Sequence, residues 1–172
     1  MLLYTIGHST RTFEEFVALL RAHGIAQLAD VRTVPKSRRH PHFAGEALAR
    51  SLPAAGIAYR HFAGLGGLRK PRKDSPNTAW RHESFRGYAD HMQTAAFHEA
   101  FDDLTDWSGG GMTVVMCAEA VWWQCHRQLI ADALVARGID VRHVMAAASA
   151  PPHALTSFAR VDGGRVTYPG LI

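Results

Sequence analysis

The stretch Met112–Ala133, MTVVMCAEAVWWQCHRQLIADA, predicts a buried strand, a short loop and the start of a helix. Its opening, MTVVM, is apolar and contains β-branched residues, and it follows three glycines that break the preceding structure. From Leu129 onwards the apolar residues recur at helical spacing, so we expect a helix to begin near Cys125. The stretch therefore contributes one strand and one helix to the fold.

Reactive side chains crowd at the junction between this strand and this helix: Cys117, Glu119, Cys125, His126 and Arg127. Free N–H groups at a helix start lower the pKa of a thiol and attract anions. We therefore expect a depressed pKa for Cys125, whereas Cys117 follows the apolar strand and should be the more buried, less reactive thiol. The catalytic candidates are Cys125, Cys117, Glu119 and His126, while Arg127 is expected to hold an anion. The alternative is that both thiols are inert core residues.

The same alternation of strand and helix runs through the rest of the chain. A glycine followed by isoleucine occurs at 24–25, 56–57 and 138–139, where it is expected to end one helix and open the next strand. This pattern indicates βαβ crossovers and a mainly parallel sheet. We predict a single three-layer α/β domain over residues 1–172, with roughly five mostly parallel strands and helices on both faces. The strands are expected near residues 2–6, 27–31, 57–61, 112–116 and 140–144.

The helices are predicted from caps and periodicity. A Thr-x-x-Glu capping box at 12–15 opens the first helix. One long helix is expected from about Phe85 to Leu104, and a short one is expected to begin near Pro151 or Pro152. The last residues, 161–172, are predicted to form a short edge strand or a tail.

A segment rich in Gly, Pro, Arg and Lys, roughly residues 63–84, lies between the third strand and the long helix. Loops of this length in compact domains are usually functional or disordered, so we interpret it as a mobile lid or arm over the site. Ten of the 19 Lys and Arg residues fall between positions 31 and 73, against one acid, Glu46. This charge either forms a solvated face or attracts a polyanion. The nucleic-acid-binding candidates are Arg38, Arg39, Arg69, Lys70, Arg72 and Lys73.

Composition limits the class of protein. With 172 residues, 47% of them hydrophobic and 20% charged, the chain fits one globular domain with a substantial core. The opening MLLYTIGHST has no basic leader and is too short in apolar residues to span a bilayer, so we expect no membrane partner and a cytoplasmic location. Two cysteines in that setting are expected to be free thiols, although their spacing permits a bridge on oxidation. No feature of the sequence sets an oligomeric state.

Ligands of open parallel sheets bind beyond the carboxyl ends of the strands. The unusual polar residues of this chain collect at those predicted ends, and the convergence is a stronger signal than any single motif. A lone histidine is more often structural, and an Asp-x-Arg pair could serve only as a supporting ion pair. The substrate-binding candidates are Gly7, His8, Ser9, Asp30, Arg32, Ser37, His61, Gly66, Gly67, Tyr88 and Arg127.

Six short segments carry a resemblance to a known family. They are TIGHS at 5–9, DVRTVPKS at 30–37, LGG at 65–67, FRGY at 85–88, CAE at 117–119 and CHR at 125–127. In these segments the chain resembles the domain of unknown function 488 family, and the resemblance covers nearly the whole sequence. It implies a single α/β domain with a shared pocket, and it implies no particular reaction.

The spacing of the candidate site residues can be compared with three known kinds of site: a thiolate phosphatase loop, a metal site and a glycine-rich phosphate loop. A thiolate phosphatase needs an arginine about six positions after its cysteine, but position 123 is tryptophan, so that loop is rejected. Cysteines 117 and 125 and histidines 8, 61 and 126 are ligand types for zinc or iron, yet no CxxC or HxxxH pair joins them, so no metal or other cofactor is predicted and zinc or iron stays an alternative. Neither common glycine-rich phosphate motif is present.

Three functions remain open on these observations. The first is an enzyme that acts on a phosphate-bearing or nucleic-acid-derived substrate through Cys, Glu, His and Arg chemistry. The second is a nucleic-acid-binding module without turnover, in which Lys and Arg contact phosphates and exposed aromatic rings stack on bases. The third is a metal-binding or regulatory interaction domain. The thiols separate the first two, because a pure binding module should tolerate their replacement.

Overall fold

Five strands form one fully parallel sheet in the computed structural model, which describes residues 1–170. The strands are β1 (Leu2–Gly7), β2 (Gln27–Asp30), β3 (Ala58–His61), β4 (Thr113–Cys117) and β5 (Asp140–His143). Their order across the sheet is β3-β2-β4-β1-β5. Each strand lies within one residue of its predicted position, so the predicted parallel α/β sheet is confirmed.

Five helices cover the two faces of the sheet: α1 (Phe13–Ala22), α2 (Gly45–Ala54), α3 (Glu83–His91), α4 (Ala95–Ser108) and α5 (Arg127–Ala136). One apolar cluster joins α1 and α2 to one face, and a second joins the other three helices to the opposite face. In the central strand β4, Val114 and Met116 belong to the first cluster, whereas Val115 and Cys117 belong to the second. The sheet and the helices on its two faces therefore form three layers. Within the described residues, no helix has the length and apolar character needed to cross a membrane.

Local signals end three of the helices as expected. Gly24, Gly56 and Gly138 adopt left-handed φ angles of 68°, 83° and 80°. In each case the next isoleucine N–H donates to a helix carbonyl five residues back, at Leu20, Leu52 and Leu134. The capping box at Thr12 and Glu15 is also present, with both reciprocal hydrogen bonds. These local closures confirm the predicted junctions.

The predicted single helix over 85–104 is wrong, because the segment forms two helices, α3 and α4. The hydroxyl of Thr94 accepts a hydrogen bond from the N–H of Phe97 at 3.2 Å, so Thr94 starts a new helix as its N-cap. The second helix then continues to Ser108. The apolar periodicity runs through the break, whereas the cap decides where the backbone restarts.

The short helix predicted at Pro151 or Pro152 is also wrong. Pro152 forms an antiparallel bridge with Arg142, and the N–H of His153 donates to the carbonyl of Val141 at 2.7 Å. Proline suits this edge position because its missing N–H is not needed there. The remaining tail forms a hairpin of β6 (Arg160–Asp162) and β7 (Arg165–Thr167), separate from the main sheet, whereas residues 171–172 of the predicted tail lie outside the described residues.

The basic segment at 63–84 is packed on the domain. Its anchor is the carboxylate of Asp90 in α3, which accepts hydrogen bonds from the Arg72 N–H, the Ser75 hydroxyl and the Asn77 amide at 2.6–2.8 Å. Trp80 is 9% exposed within the second apolar cluster. The structure therefore has a segment packed on α3 where the sequence suggested a mobile lid or arm over the site.

Candidate functional site

A cavity of about 340 Å³ opens at the carboxyl ends of β1, β2 and β4. Eight of the predicted site residues line it: His8, Arg32, Ser37, Gly67, Cys117, Glu119, Cys125 and His126. The wall also contains residues that the sequence did not single out as site residues, among them Thr33, Lys36 and Leu68. The predicted convergence of strand ends therefore produces one pocket.

The floor of the pocket depends on a close contact between the end of β1 and the loop after β4. Gly7 pairs with Cys117 in the sheet, and a Cβ at Gly7 would lie 1.6 Å from the carbonyl oxygen of Glu119. Only glycine lets this loop cross so closely. The N–H of His8 then donates to the Cys117 carbonyl at 2.9 Å, which ties the two segments together.

Arg32 forms a charged wall of the pocket. The buried carboxylate of Asp30 accepts from Nε and Nη2 of Arg32 at 2.9 and 2.7 Å, and from the hydroxyl of Tyr59 at 2.6 Å. This bidentate contact fixes the guanidinium plane. The third nitrogen, Nη1 of Arg32, is buried and has no hydrogen-bond partner among the described residues. Lys36 adds an exposed ammonium to the same wall.

Two free thiols lie at the base of the pocket. Cys117 and Cys125 are 2% and 6% exposed, and their sulfur atoms are 2.7 Å apart. The hydrogen bond from Cys117 lowers the pKa of Cys125 well below its usual value despite burial, and His126 and Arg127 lower it further. Burial first, and then the Cys125 sulfur, raise the pKa of Cys117. The pKa of Cys125 is therefore the lower of the two.

His126 is held in the tautomer that a base for Cys125 requires. Its Nε2 lies 2.9 Å from the carbonyl oxygen of Val31, and a carbonyl can only accept, so Nε2 carries the hydrogen. In the neutral ring Nδ1 is then a bare acceptor, and it faces the Cys125 sulfur at 3.5 Å. Tyr88 packs on one side of the ring, with centroids 5.0 Å apart, and Gly67 lies close against Nδ1. The thiol proton can therefore pass to this imidazole.

His8 contributes a neutral ring to the pocket wall. Its Nδ1 donates to the carbonyl of Ser9 at 2.9 Å, and the ring stacks on Phe43 with centroids 4.4 Å apart. Burial lowers the pKa of His8 to about 4, even though the contact with Ser9 raises it. At neutral pH, Nε2 of His8 is therefore available to accept a hydrogen bond from a ligand.

Several residues expected to contact substrate lie behind the pocket and support it. The Tyr88 hydroxyl donates to the Leu65 carbonyl at 2.8 Å, and Nε2 of His61 lies 2.7 Å from the Arg32 carbonyl. The guanidinium of Arg127 is buried and donates to the carbonyl of Glu119 at 2.8 Å, so it holds the loop and does not line the cavity. The remaining members of this supporting group are Gly7, Ser9, Asp30 and Gly66.

A second cluster of titratable groups, unforeseen from the sequence, is sealed between β1, β5 and α5. The Thr5 hydroxyl lies 2.6 Å from Nδ1 of His143, whose Nε2 lies 2.8 Å from Nδ1 of His153. Nε2 of His153 contacts the carboxylate of Asp132 at 2.7 Å, and the Tyr168 hydroxyl donates to the same carboxylate at 2.7 Å. We call Thr5, His143, His153, Asp132 and Tyr168 the sealed network.

The two ends of the sealed network have fixed hydrogen-bonding roles. Arg127 can only donate to the Thr5 hydroxyl, at 3.1 Å, and ionised Asp132 can only accept. With neutral rings, Thr5 donates to His143, His143 donates to His153, and His153 donates to Asp132. Burial lowers the pKa of His143 to about 3, and the charges of His153 and Arg127 lower it further.

The predicted nucleic-acid-binding residues divide into two groups. Arg38 and Arg39 are exposed and follow directly on Lys36 and Ser37 of the pocket wall. The others lie in the segment packed on α3, where Arg69 donates to the Gly66 carbonyl and Arg72 pairs with Asp74 at 2.8 Å, while Lys70 and Lys73 are exposed.

The fold and the site together define a class, that of α/β proteins with a paired-thiol pocket at the carboxyl edge of a parallel sheet. Residues 12–134, which include both cysteines, match the family described as Domain of unknown function DUF488, so the chain belongs to that family. No curated protein and no solved structure matches the chain. Over residues 1–170, no group of three or more His, Cys, Asp or Glu side chains is arranged to hold a metal ion.

Proposed function

We propose that this protein is a thiol-dependent enzyme that acts on an anionic substrate, either phosphate-bearing or derived from nucleic acid. One observation carries the proposal: Cys125, with its lowered pKa, contacts His126 at the base of a cavity that Arg32 also lines. Perturbed titratable groups in a cleft are typical of active sites. We place this activity in the cytoplasm, where free thiols persist.

Each wall residue has a role in this proposal. The Cys125 thiolate attacks the substrate, and His126 holds the thiol proton and returns it to the leaving group. Nη1 of Arg32 and the ammonium of Lys36 donate to the anionic group, because Asp30 fixes the guanidinium and leaves that nitrogen unpaired. Glu119 lines the same cavity and provides a second group for proton transfer.

The direct test is alkylation of the reduced protein by iodoacetamide across pH, followed by peptide mapping. We expect Cys125 to react at pH 7 faster than N-acetylcysteine and before Cys117, since the thiolate fraction controls the rate. Adenosine monophosphate should slow the labelling, whereas adenosine should not. Labelling of Cys125 no faster than the free thiol, or labelling of Cys117 first, contradicts the proposal.

A second candidate function is nucleic-acid binding without turnover. The exposed side chains of Lys36, Arg38 and Arg39 next to the cavity favour it, because phosphate contacts from such residues give salt-dependent affinity. The two candidates differ in their dependence on the thiols. A Cys125→Ser variant should keep the affinity of a binding module for RNA but lose the chemistry of an enzyme.

A further inference from the structure

A covalent mechanism with one nucleophile does not require the second thiol, Cys117. A nucleophile with a base and an anion holder is complete with Cys125, His126 and Arg32. Cys117 nevertheless lies in sulfur–sulfur contact with Cys125 at 2.7 Å, and both thiols line the same cavity. A thiol in this position can attack the neighbouring sulfur once that sulfur carries a substituent.

We propose that Cys117 is the resolving thiol of a two-electron reduction, and that the substrate is a small disulfide carrying anionic groups. This inference rests on the proposed function and names its substrate class. Oxidised protein would then hold a Cys117–Cys125 disulfide, and an external thiol reductant would restore the pair.

The reaction balances in two displacements. The Cys125 thiolate attacks one sulfur of the substrate RS–SR, which forms a mixed disulfide and releases RS⁻, and that anion takes the proton held by His126. The sulfur of Cys117 then attacks Cys125, which forms the protein disulfide and releases the second RS⁻, and that anion takes the Cys117 proton. Two electrons leave the protein, and two molecules of RSH are formed.

After the first displacement, the charges around Cys117 favour its ionisation, which the second displacement requires. Burial and the Cys125 sulfur both raise the pKa of Cys117 in the reduced state. In the mixed disulfide the Cys125 thiolate has disappeared, while the charge of Arg127, which lowers the pKa of Cys117, remains. The resolving thiol therefore ionises more readily when its ionisation is needed.

The cavity favours an anionic disulfide over a neutral one. Nη1 of Arg32 lacks a partner among the described residues, and the exposed Lys36 lines the same cavity as the thiols. A cavity of about 340 Å³ also admits an organic group, whereas a peroxide would need far less room. Charged donors in a cleft raise the encounter rate with oppositely charged substrates.

The experiment treats the reduced full-length protein with glutathione disulfide, which is anionic, and follows the intact mass after an acid quench. Wild-type protein should lose two hydrogens and retain no glutathionyl group. Cys117→Ser should accumulate one glutathionyl group on Cys125, and Cys125→Ser should stay unmodified. The wild-type measurement stands even if a variant fails to fold.

Three results would overturn the inference. If wild-type protein retains a stable glutathionyl group, then Cys117 does not resolve the adduct. If Cys117 and Cys125 stay reduced while iodoacetamide still labels Cys125 rapidly, then Cys125 remains the proposed nucleophile but the reaction with disulfides is excluded. If iodoacetamide labels Cys125 slowly, then both the proposed function and this inference are wrong.

Substrate charge is tested with neutral hydroxyethyl disulfide, with both rates divided by those of N-acetylcysteine. We expect glutathione disulfide to be preferred by roughly tenfold. Lys36→Ala should reduce this preference, whereas Arg50→Ala, which removes an exposed cation of α2 outside the pocket, should not. Equal normalised rates for the two disulfides would overturn the anionic substrate class.

Discussion

The pocket and the sealed network use the same kinds of side chain to different ends. Both contain buried histidine, and each is supported by a carboxylate with more than one hydrogen-bond partner, Asp30 behind the pocket and Asp132 in the sealed network. In the pocket, Nδ1 of His126 faces a thiol and Nη1 of Arg32 has no partner. In the sealed network, both ring nitrogens of His143 and of His153 lie within hydrogen-bond distance of a partner. A buried polar group left with a free bonding position beside a cavity is available for chemistry, whereas a saturated one stabilises the fold.

Arg127 joins the two regions. It donates to Thr5 of the sealed network and to the Glu119 carbonyl in the loop beside the thiols. The comparison therefore predicts that changes in the sealed network mainly alter stability, and that changes in the pocket mainly alter thiol reactivity.

The largest expected effect is on stability, from Asp132→Ala. The change leaves His153 and Tyr168 without their buried acceptor, which typically costs about 3–5 kcal/mol in the free energy of unfolding. Urea denaturation at pH 7 measures it, and Tyr168→Phe, which removes only one hydrogen bond, should cost about 1 kcal/mol. Equal losses in the two variants would show that the carboxylate does not organise the network.

The next effect concerns reactivity, from His126→Gln. We expect the rate of Cys125 alkylation at pH 7 to fall by about one to two orders of magnitude, because the base that holds the thiol proton is gone. His143→Gln is the matched control, and its alkylation rate should stay within about twofold of wild type while its stability falls. A larger effect of the control would contradict the division between the two regions.

Stability should also depend on pH through His143. Its pKa is about 3 in the folded protein, below the ordinary 6.5, so the unfolded chain binds more protons between these values. The stabilising contribution is therefore present above pH 6.5 and is lost as pH falls towards 3. The expected slope is about 1.4 kcal/mol per pH unit over that window.

Urea midpoints of wild type and His143→Gln at pH 7, 6 and 5 measure this term. The variant should show a shallower decline, while the buried His8, whose pKa is lowered to about 4, keeps its own contribution in both proteins. If the urea midpoints of the two proteins decline equally as the pH falls, then His143 is not the source of the pH dependence.

The smallest effect is expected on the surface. Replacement of Lys36, Arg38 and Arg39 by alanine should weaken RNA or DNA binding and lower the slope of log affinity against log salt by about 2. The comparison variant replaces Arg69, Lys70, Arg72 and Lys73, two of which are already engaged. It should have the weaker effect. Binding that is unchanged and insensitive to salt in both variants would contradict the nucleic-acid alternative.

Much of the fold could be predicted because its signals are local. The Gly-Ile closures and the capping box at Thr12 depend on hydrogen bonds within a few residues, so their sequence pattern determines their geometry. The deep burial of Cys117 was predictable for the same reason, since it ends an apolar strand, whereas its contact with the Cys125 sulfur is tertiary. Thr94 also carried a local signal, which the apolar periodicity across it obscured.

The sequence by itself determined the alternation of strands and helices, the strand positions and the gathering of reactive residues at one edge of the sheet. Only the tertiary structure decided which of those residues face the cavity. Asp132, His143 and His153 lie on a helix, a strand and a loop, and Arg127 meets Thr5 across 122 positions of the chain. Such contacts depend on how elements pack, because a hydrogen bond requires a particular distance and direction that residue spacing does not encode.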